Sequence, residues 1–185
     1  MTSVQHEQPA RSSTTRDEQQ VRAVIDGRSR AIEEKDADRL VGSYAPDVVV
    51  FDLAPPLRQP TAQVLDPSSH RAWFATFEPG IEYDTRDLTV TVGGDVAVAH
   101  GLARLAATPS GSSEGFTMWF RMTLCLRRGG DGWLISHEHV STPFHMDGSE
   151  EELSSSADVQ HEALVALLTD ALSVSQPRGF VETGP

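Results

Sequence analysis

Asp52, His137 and His139 are of types that suit proton transfer, and Arg121 is of a type that suits stabilising the negative charge such a transfer creates. The two histidines stand two apart in GWLISHEHVSTP, which follows WFRMTLCLRR across a Gly-rich turn, so residues 119–143 read as an antiparallel hairpin. With Leu126 opposite Leu134, Thr123 faces His137, Arg121 faces His139 and Trp119 faces Ser141, all on one face. Strand interiors rarely gather a guanidinium and two imidazoles without a use. Asp52 closes the run VVVF. A carboxylate at the mouth of an apolar pocket is driven toward neutrality by desolvation and toward charge by a nearby guanidinium, and the balance suits a general acid or base. Histidine already titrates near neutrality. With Arg121 stabilising an enolate, alkoxide or carboxylate, the set supports proton abstraction, cyclisation, dehydration or hydration of a small apolar, carbonyl- or carboxylate-bearing molecule, with no cofactor.

Plainer roles compete with each assignment. Asp52 also suits a loop-stabilising position before Pro55 and Pro56. His137 and His139 equally suit a sheet-mediated dimer interface, and Arg121 an ion pair with Asp52 or Glu114. A metal site would need a third ligand, and Glu138 points to the opposite face from the histidines, so no metal is expected. His100 shares a face with Val96, Val98 and Leu102 and reads as a core histidine or a secondary pocket residue. Trp73, Phe77 and Trp119 read as core and pocket wall. Alternation leaves one ambiguity: Met118, Phe120, Met122, Leu124 and Leu126 form the more apolar face, and turning it toward the helices would send Arg121 and both histidines outward.

The elements that must position these residues are legible from periodicity. Residues 17–34 carry Val21, Val24, Ile25, Arg28, Ala31 and Ile32 at helical spacing, with Thr14 or Thr15 as a cap. A short helix over 37–44 ends at Pro46, and 48–51 form a strand before LAPPLRQP imposes an extended loop. Asp66-Pro67 opens a third helix to about Phe77. From Ile81 the period becomes two: residues 81–92, a turn at 93–95 and residues 96–107 make one long hairpin, and the segment from Trp119 makes the next. Helices followed by antiparallel strands define an α+β layout with helices on one face of a curved sheet. Residues 156–174 form a further amphipathic helix.

With 185 residues the chain accommodates one domain plus tails. Residues 1–15 read as a disordered N-terminal tail without the apolar core of a signal peptide, 16–146 as the folded domain, and 147–185 as an acidic linker, helix and tail. No run approaches the ~18 to 20 apolar residues of a membrane span, which points to a cytoplasmic location and no membrane partner. Asp and Glu outnumber Lys and Arg by 27 to 15, for a formal charge of -12, and the arginines are scattered, which argues against nucleic acid as a partner. Cys125 is the single cysteine, so internal disulfides and Cys-based zinc sites are excluded.

Three pieces together carry a resemblance: a helix followed by KDADRLVGSYAPDVVVFD, two long hairpins, and the ending GWLISHEHVSTPF. They resemble the SnoaL-like and ketosteroid-isomerase-like branch of the NTF2-like superfamily over about residues 17–144, and the ending is also similar to that of calmodulin-dependent kinase II association domains. The resemblance implies a cone-shaped α+β barrel, usually a homodimer, with a small-molecule pocket between sheet and helices. It also implies isomerase, polyketide cyclase or dehydratase chemistry, or else a non-catalytic binding or assembly role. In ketosteroid isomerases, a worked case of carboxyl tuning, a carboxylate ending the first strand is the base. Asp52 matches that position. The oxyanion donors do not carry over, since Arg28 stands at the position of the helix Tyr and Arg121 or Met122 at that of the strand acid.

Overall fold

The computed structural model describes residues 10–130 and 132–143. The chain runs α1 (Ala10–Glu33), α2 (Ala37–Gly42), β1 (Tyr44–Phe51), α3 (Thr61–Val64), α4 (Pro67–Ala75), β2 (Glu82–Gly93), β3 (Val96–Ala107), β4 (Phe116–Arg128) and β5 (Trp133–Ser141). The five strands form one sheet in the order β1-β5-β4-β3-β2. Consecutive strands from β2 to β5 pair antiparallel, whereas β1 joins β5 in parallel, so the sheet is mixed rather than antiparallel throughout. The helix expected over 156–174 and the acidic linker before it lie outside the described residues.

The helical stripe explains the packing of α1. Val21, Ile25, Arg28, Ala31 and Ile32 are buried against the sheet, and Lys35, at φ 54, ends the helical run. The helix begins at Ala10, inside the segment read as a tail. Pro46 falls within β1 rather than before it; β1 is an edge strand, where a missing N–H is tolerated, and its register with β5 breaks between Tyr44 and Val49. The loop after β1 contains the short α3, tied to the strand by the Thr61 hydroxyl donating to the Val48 carbonyl at 3.1 Å. Asp66 caps α4 by accepting from the Ser68 amide at 2.9 Å, ahead of Pro67 at the first helical position.

Two irregularities shape the sheet. In β2 the register shifts between Arg86 and Thr89, where Asp87 adopts φ 53. Opposite it on β3, a Cβ on Gly101 would lie 2.7 Å from the Arg86 carbonyl oxygen, so only glycine lets the bulged backbone approach. In the β4–β5 pairing, Arg127 faces Leu134 and Leu126 faces Ile135, yet Cys125 faces His137, leaving Ser136 unopposed. That step reverses the direction of every later β5 side chain: Trp133 and Ile135 are buried, and after Ser136 it is Glu138 and Val140 that point inward.

Candidate functional site

The inward face of the sheet and the helices enclose a cavity of about 440 Å³. Val48 and Val50 point inward from β1, and the same alternation brings Asp52, just past the strand, to the cavity mouth. Trp73 of α4 and Leu105, Met118, Phe120 and Val140 of the sheet supply apolar wall, while Gln63 and His70 stand on the helical side. The His70 ring sits 2.7 Å from the Val64 carbonyl oxygen, which fixes it against α3.

The inner end of the cavity is polar and buried. Arg28 projects from α1, Tyr44 from the start of β1, Tyr83 from β2 and Glu138 from β5. The Arg28 guanidinium is paired with Glu138 through Nη2, donates through Nη1 to the Tyr83 hydroxyl at 3.1 Å, and reaches the Tyr44 hydroxyl through Nε at 3.4 Å. The Tyr44 hydroxyl donates to the second Glu138 oxygen at 2.6 Å. Burial opposes the charge on Arg28, but Glu138 and the two phenol oxygens outweigh it and hold the guanidinium protonated well above its ordinary range. Burial likewise pushes both phenols up, against the pull of Arg28.

Asp52 belongs to the same electrostatic group. Crowding of protein atoms around its carboxyl, then the negative charge of Glu138, push its pKa up to about 6, while the Leu53 amide, donating at 2.7 Å, and the charge of Arg28 pull the other way. Asp52 still presents a solvent-exposed surface, and water reaching it from the mouth moderates the rise. The result is a carboxyl raised above its ordinary range at the rim of a chamber with apolar walls and a buried inner end where Arg28 is matched by Glu138.

The cationic cluster of the last hairpin lies elsewhere. Arg121, Thr123, His137 and His139 share one face, as alternation requires, but that face is the outer one. Cross-strand rows on it run Val98, Cys125, His137, Val49 and then His100, Thr123, His139, Phe51. The expected partners are offset by two residues, with Thr123 facing His139 and Arg121 facing Ser141: the turn sets Leu126 opposite Ile135 rather than Leu134, which accounts for one, and the unopposed Ser136 adds the second. Phe51 packs edge-on against His137 and His139, with ring centroids 5.1 and 5.7 Å apart, and the His137 Nδ1 lies 2.9 Å from the Val49 carbonyl oxygen. Trp119 is also on the outside, under the Arg86 guanidinium at 4.9 Å. His100 is exposed beside Val98 and Leu102, since the face of β3 that turns inward is the one bearing Ala97, Ala99, Ala103 and Leu105. Phe77 is core, packed on Trp73 and Phe116. Of the residues expected at a pocket, Asp52 and Trp73 line the cavity; Arg121, His137, His139, Thr123, Trp119, His100 and Phe77 are not among its walls.

Arg28, Tyr44, Tyr83 and Glu138 escaped the sequence reading as site residues. The signal for Arg28 was an arginine on an otherwise apolar helical stripe; Glu138 depended on the bulge at Ser136, which no residue type announces. Among the described residues no three His, Cys, Asp or Glu side chains gather in a way that would hold a metal ion. No described helix is long and apolar enough to cross a membrane.

A helix-backed curved sheet with a chamber at its concave face is the NTF2-like cone. The SnoaL-like domain family matches residues 21–145, and the chain belongs to that family. Among solved structures, an NTF2-like protein of unknown function from Pseudomonas putida KT2440 is 27% identical, covering 75% of this chain and 94% of that one at a TM-score of 0.64. Rv3472 (D26N variant) from Mycobacterium tuberculosis, also of unknown function, is 14% identical, with coverage of 90% and 94% and a TM-score of 0.71. A protein from Streptomyces avermitilis, provisionally named a dehydratase of the NTF2-like family, is 22% identical over 69% and 96% of the two chains at a TM-score of 0.60. No curated protein matches the chain significantly.

Proposed function

We propose that this chain is a cofactor-independent acid/base enzyme of the isomerase, cyclase or dehydratase kind, with Asp52 as the proton-transferring group. The observation that carries the reading is the placement of the Asp52 carboxyl at the mouth of a 440 Å³ cavity with apolar walls, on the same chamber as the buried Arg28, Tyr83 and Glu138, where crowding and the charge of Glu138 raise its pKa. In the reaction Asp52 takes the proton from a carbon beside a carbonyl; the C–H electron pair becomes the C=C of an enolate and negative charge moves to oxygen. Returning the proton to a different carbon completes an isomerisation. Delivering it to a β-hydroxyl, which leaves as water while the enolate collapses to an unsaturated ketone, completes a dehydration. The provisional name of the Streptomyces protein fits this class.

The test is proton–deuterium exchange, followed by NMR, at the acidic carbons of a panel of neutral aryl ketones. The wild-type chain is expected to accelerate exchange above pH 6, and Asp52→Asn to lose about 10²-fold or more while remaining folded. Equal exchange by the two proteins, or no acceleration on any member of the panel, overturns the reading.

The outer face favours a second, compatible role in assembly. Phe51, Val98 and Leu102 are 37%, 43% and 41% exposed there, and apolar side chains grouped on one sheet face suit burial against a second copy of the chain. Light scattering on Val98→Asp with Leu102→Asp is expected to show a monomer where the parent shows a homodimer; a parent that is monomeric at all concentrations removes this role.

A further inference from the structure

Resting on that acid/base reading, the inner end of the cavity also identifies what holds the substrate oxygen. We propose that the Tyr83 hydroxyl donates a hydrogen bond to the oxygen of the bound molecule, and that the site selects neutral carbonyl compounds over carboxylates.

The two phenols at Arg28 differ in what their protons do. Tyr44 donates to Glu138 at 2.6 Å, so its proton is committed. Tyr83 accepts from Arg28 at 3.1 Å, but among the described residues its own proton faces only the Met122 thioether, 3.8 Å away. A thioether is a weak acceptor, so turning that proton to a ligand oxygen gives up little. The hydrogen bond arriving from a cation polarises the phenol and makes it a better donor. Tyr83 is buried yet lines the cavity, on the same wall system as Asp52. Burial, with the negative charges of Glu138 and Asp52, outweighs Arg28 and keeps the phenol protonated. Charge that develops on a substrate oxygen during proton abstraction would therefore meet a fixed donor.

Charge balance sets the ligand class. Arg28 is the buried cation of the cavity and is matched by Glu138, while ionised Asp52 adds a second negative charge. Among the described residues a carboxylate entering there meets no unmatched arginine or lysine, and it is repelled by Asp52. A neutral ketone on an aromatic frame loses little water and gains the apolar walls formed by Trp73, Met118 and Phe120.

The test uses 1-indanone labelled with ¹³C at its carbonyl, observed by infrared difference spectroscopy, with calorimetry for affinity. Bound to the wild type, its C=O stretch is expected below that in Tyr83→Phe, where Kd rises about tenfold, the loss of one hydrogen bond. Replacing Tyr83 with 3-fluorotyrosine, a more acidic donor of almost the same shape, is expected to lower the stretch further and decides the matter should the phenylalanine variant not fold. Indane-1-carboxylate is expected to bind at least tenfold more weakly than 1-indanone. A stretch unchanged by both replacements, equal affinity for the carboxylate, or no binding of 1-indanone overturns the proposal. Failure of the Asp52 reading looks different: the stretch is lowered in wild type and Asp52→Asn alike, yet the wild type catalyses no exchange.

Discussion

Glu138→Gln tests the inner end of the cavity most directly. The Arg28–Glu138 pair is nearly inaccessible, with side chains 8% and 5% exposed. The variant keeps the shape of the side chain and removes the charge that compensates the buried guanidinium. It also replaces the carboxylate that accepts from Tyr44. Removing one partner of a buried ion pair costs about 3–5 kcal/mol, because the other charge is left without compensation. The loss at Tyr44 belongs to the same network and does not add in full. With a urea dependence of about 1.5 kcal/mol per molar for a domain of this size, the unfolding midpoint should fall by roughly 2–3 M. Replacing both members, Arg28→Met with Glu138→Leu, should restore most of that loss, since a well-packed apolar pair is often as stable as the buried ions it replaces. Equilibrium urea unfolding of the three proteins, followed by tryptophan fluorescence, makes the comparison. A single variant within 1 kcal/mol of the parent, or a double variant no more stable than the single one, refutes the claim that Arg28 is buried and depends on Glu138 for its charge balance.

Three other outcomes are expected. The raised pKa of Asp52 means that the native state retains a proton between 3.8 and about 6 that the unfolded chain has lost, so wild-type stability falls as pH rises through that window; Asp52→Asn should match the parent near pH 4 and exceed it at pH 7, and a pH-independent difference in urea midpoint would contradict this. Gly101→Ala should destabilise by about 1–3 kcal/mol, because its Cβ would meet the Arg86 carbonyl oxygen at 2.7 Å and the bulge must move; a melting temperature equal to the parent's would show that the bulge yields easily. Arg121→Ala combined with His139→Ala removes only outer-face side chains and should leave 1-indanone affinity within twofold, whereas a tenfold loss would tie that face to the cavity.

Most of the scaffold was readable because its determinants are local. The apolar stripe of α1, the Asp66-Pro67 start of α4 and the period-two runs from Ile81 each specify an element without reference to distant residues. Asp52 was singled out by its place at the end of the VVVF strand and by the resemblance, and the structure sets it at the cavity mouth, one alternation beyond Val48 and Val50. What resisted reading depended on pairing. Whether β1 runs parallel to β5 is decided by the chain path through α3 and α4, which residue types in β1 do not encode. In β3 the sequence offers Val96, Val98 and Leu102 on one face and mostly alanines, with Leu105, on the other, and size alone favours burying the wrong one. The alanines go inside because the large side chains of β4, Met118 to Leu126, already fill the space beneath the helices.

The last hairpin carries the same lesson into the chemistry. In β4 the face bearing Phe116, Met118, Phe120, Met122, Leu124 and Leu126 is buried without exception, so Arg121 and Thr123 had to point outward. A regular partner strand with Trp133 and Ile135 inward would have carried His137 and His139 inward as well. The unopposed Ser136 breaks that continuation, returns the histidines to the side of Arg121, and turns Glu138 toward Arg28. One extra residue thereby exchanges two imidazoles for the Glu138 carboxylate and Val140 on the inward face. With imidazoles inside, Arg28 would have kept an unmatched positive charge suited to anionic ligands; with Glu138 inside, that charge is neutralised, which is what the proposed proton transfer between Asp52 and a neutral substrate requires of the chamber.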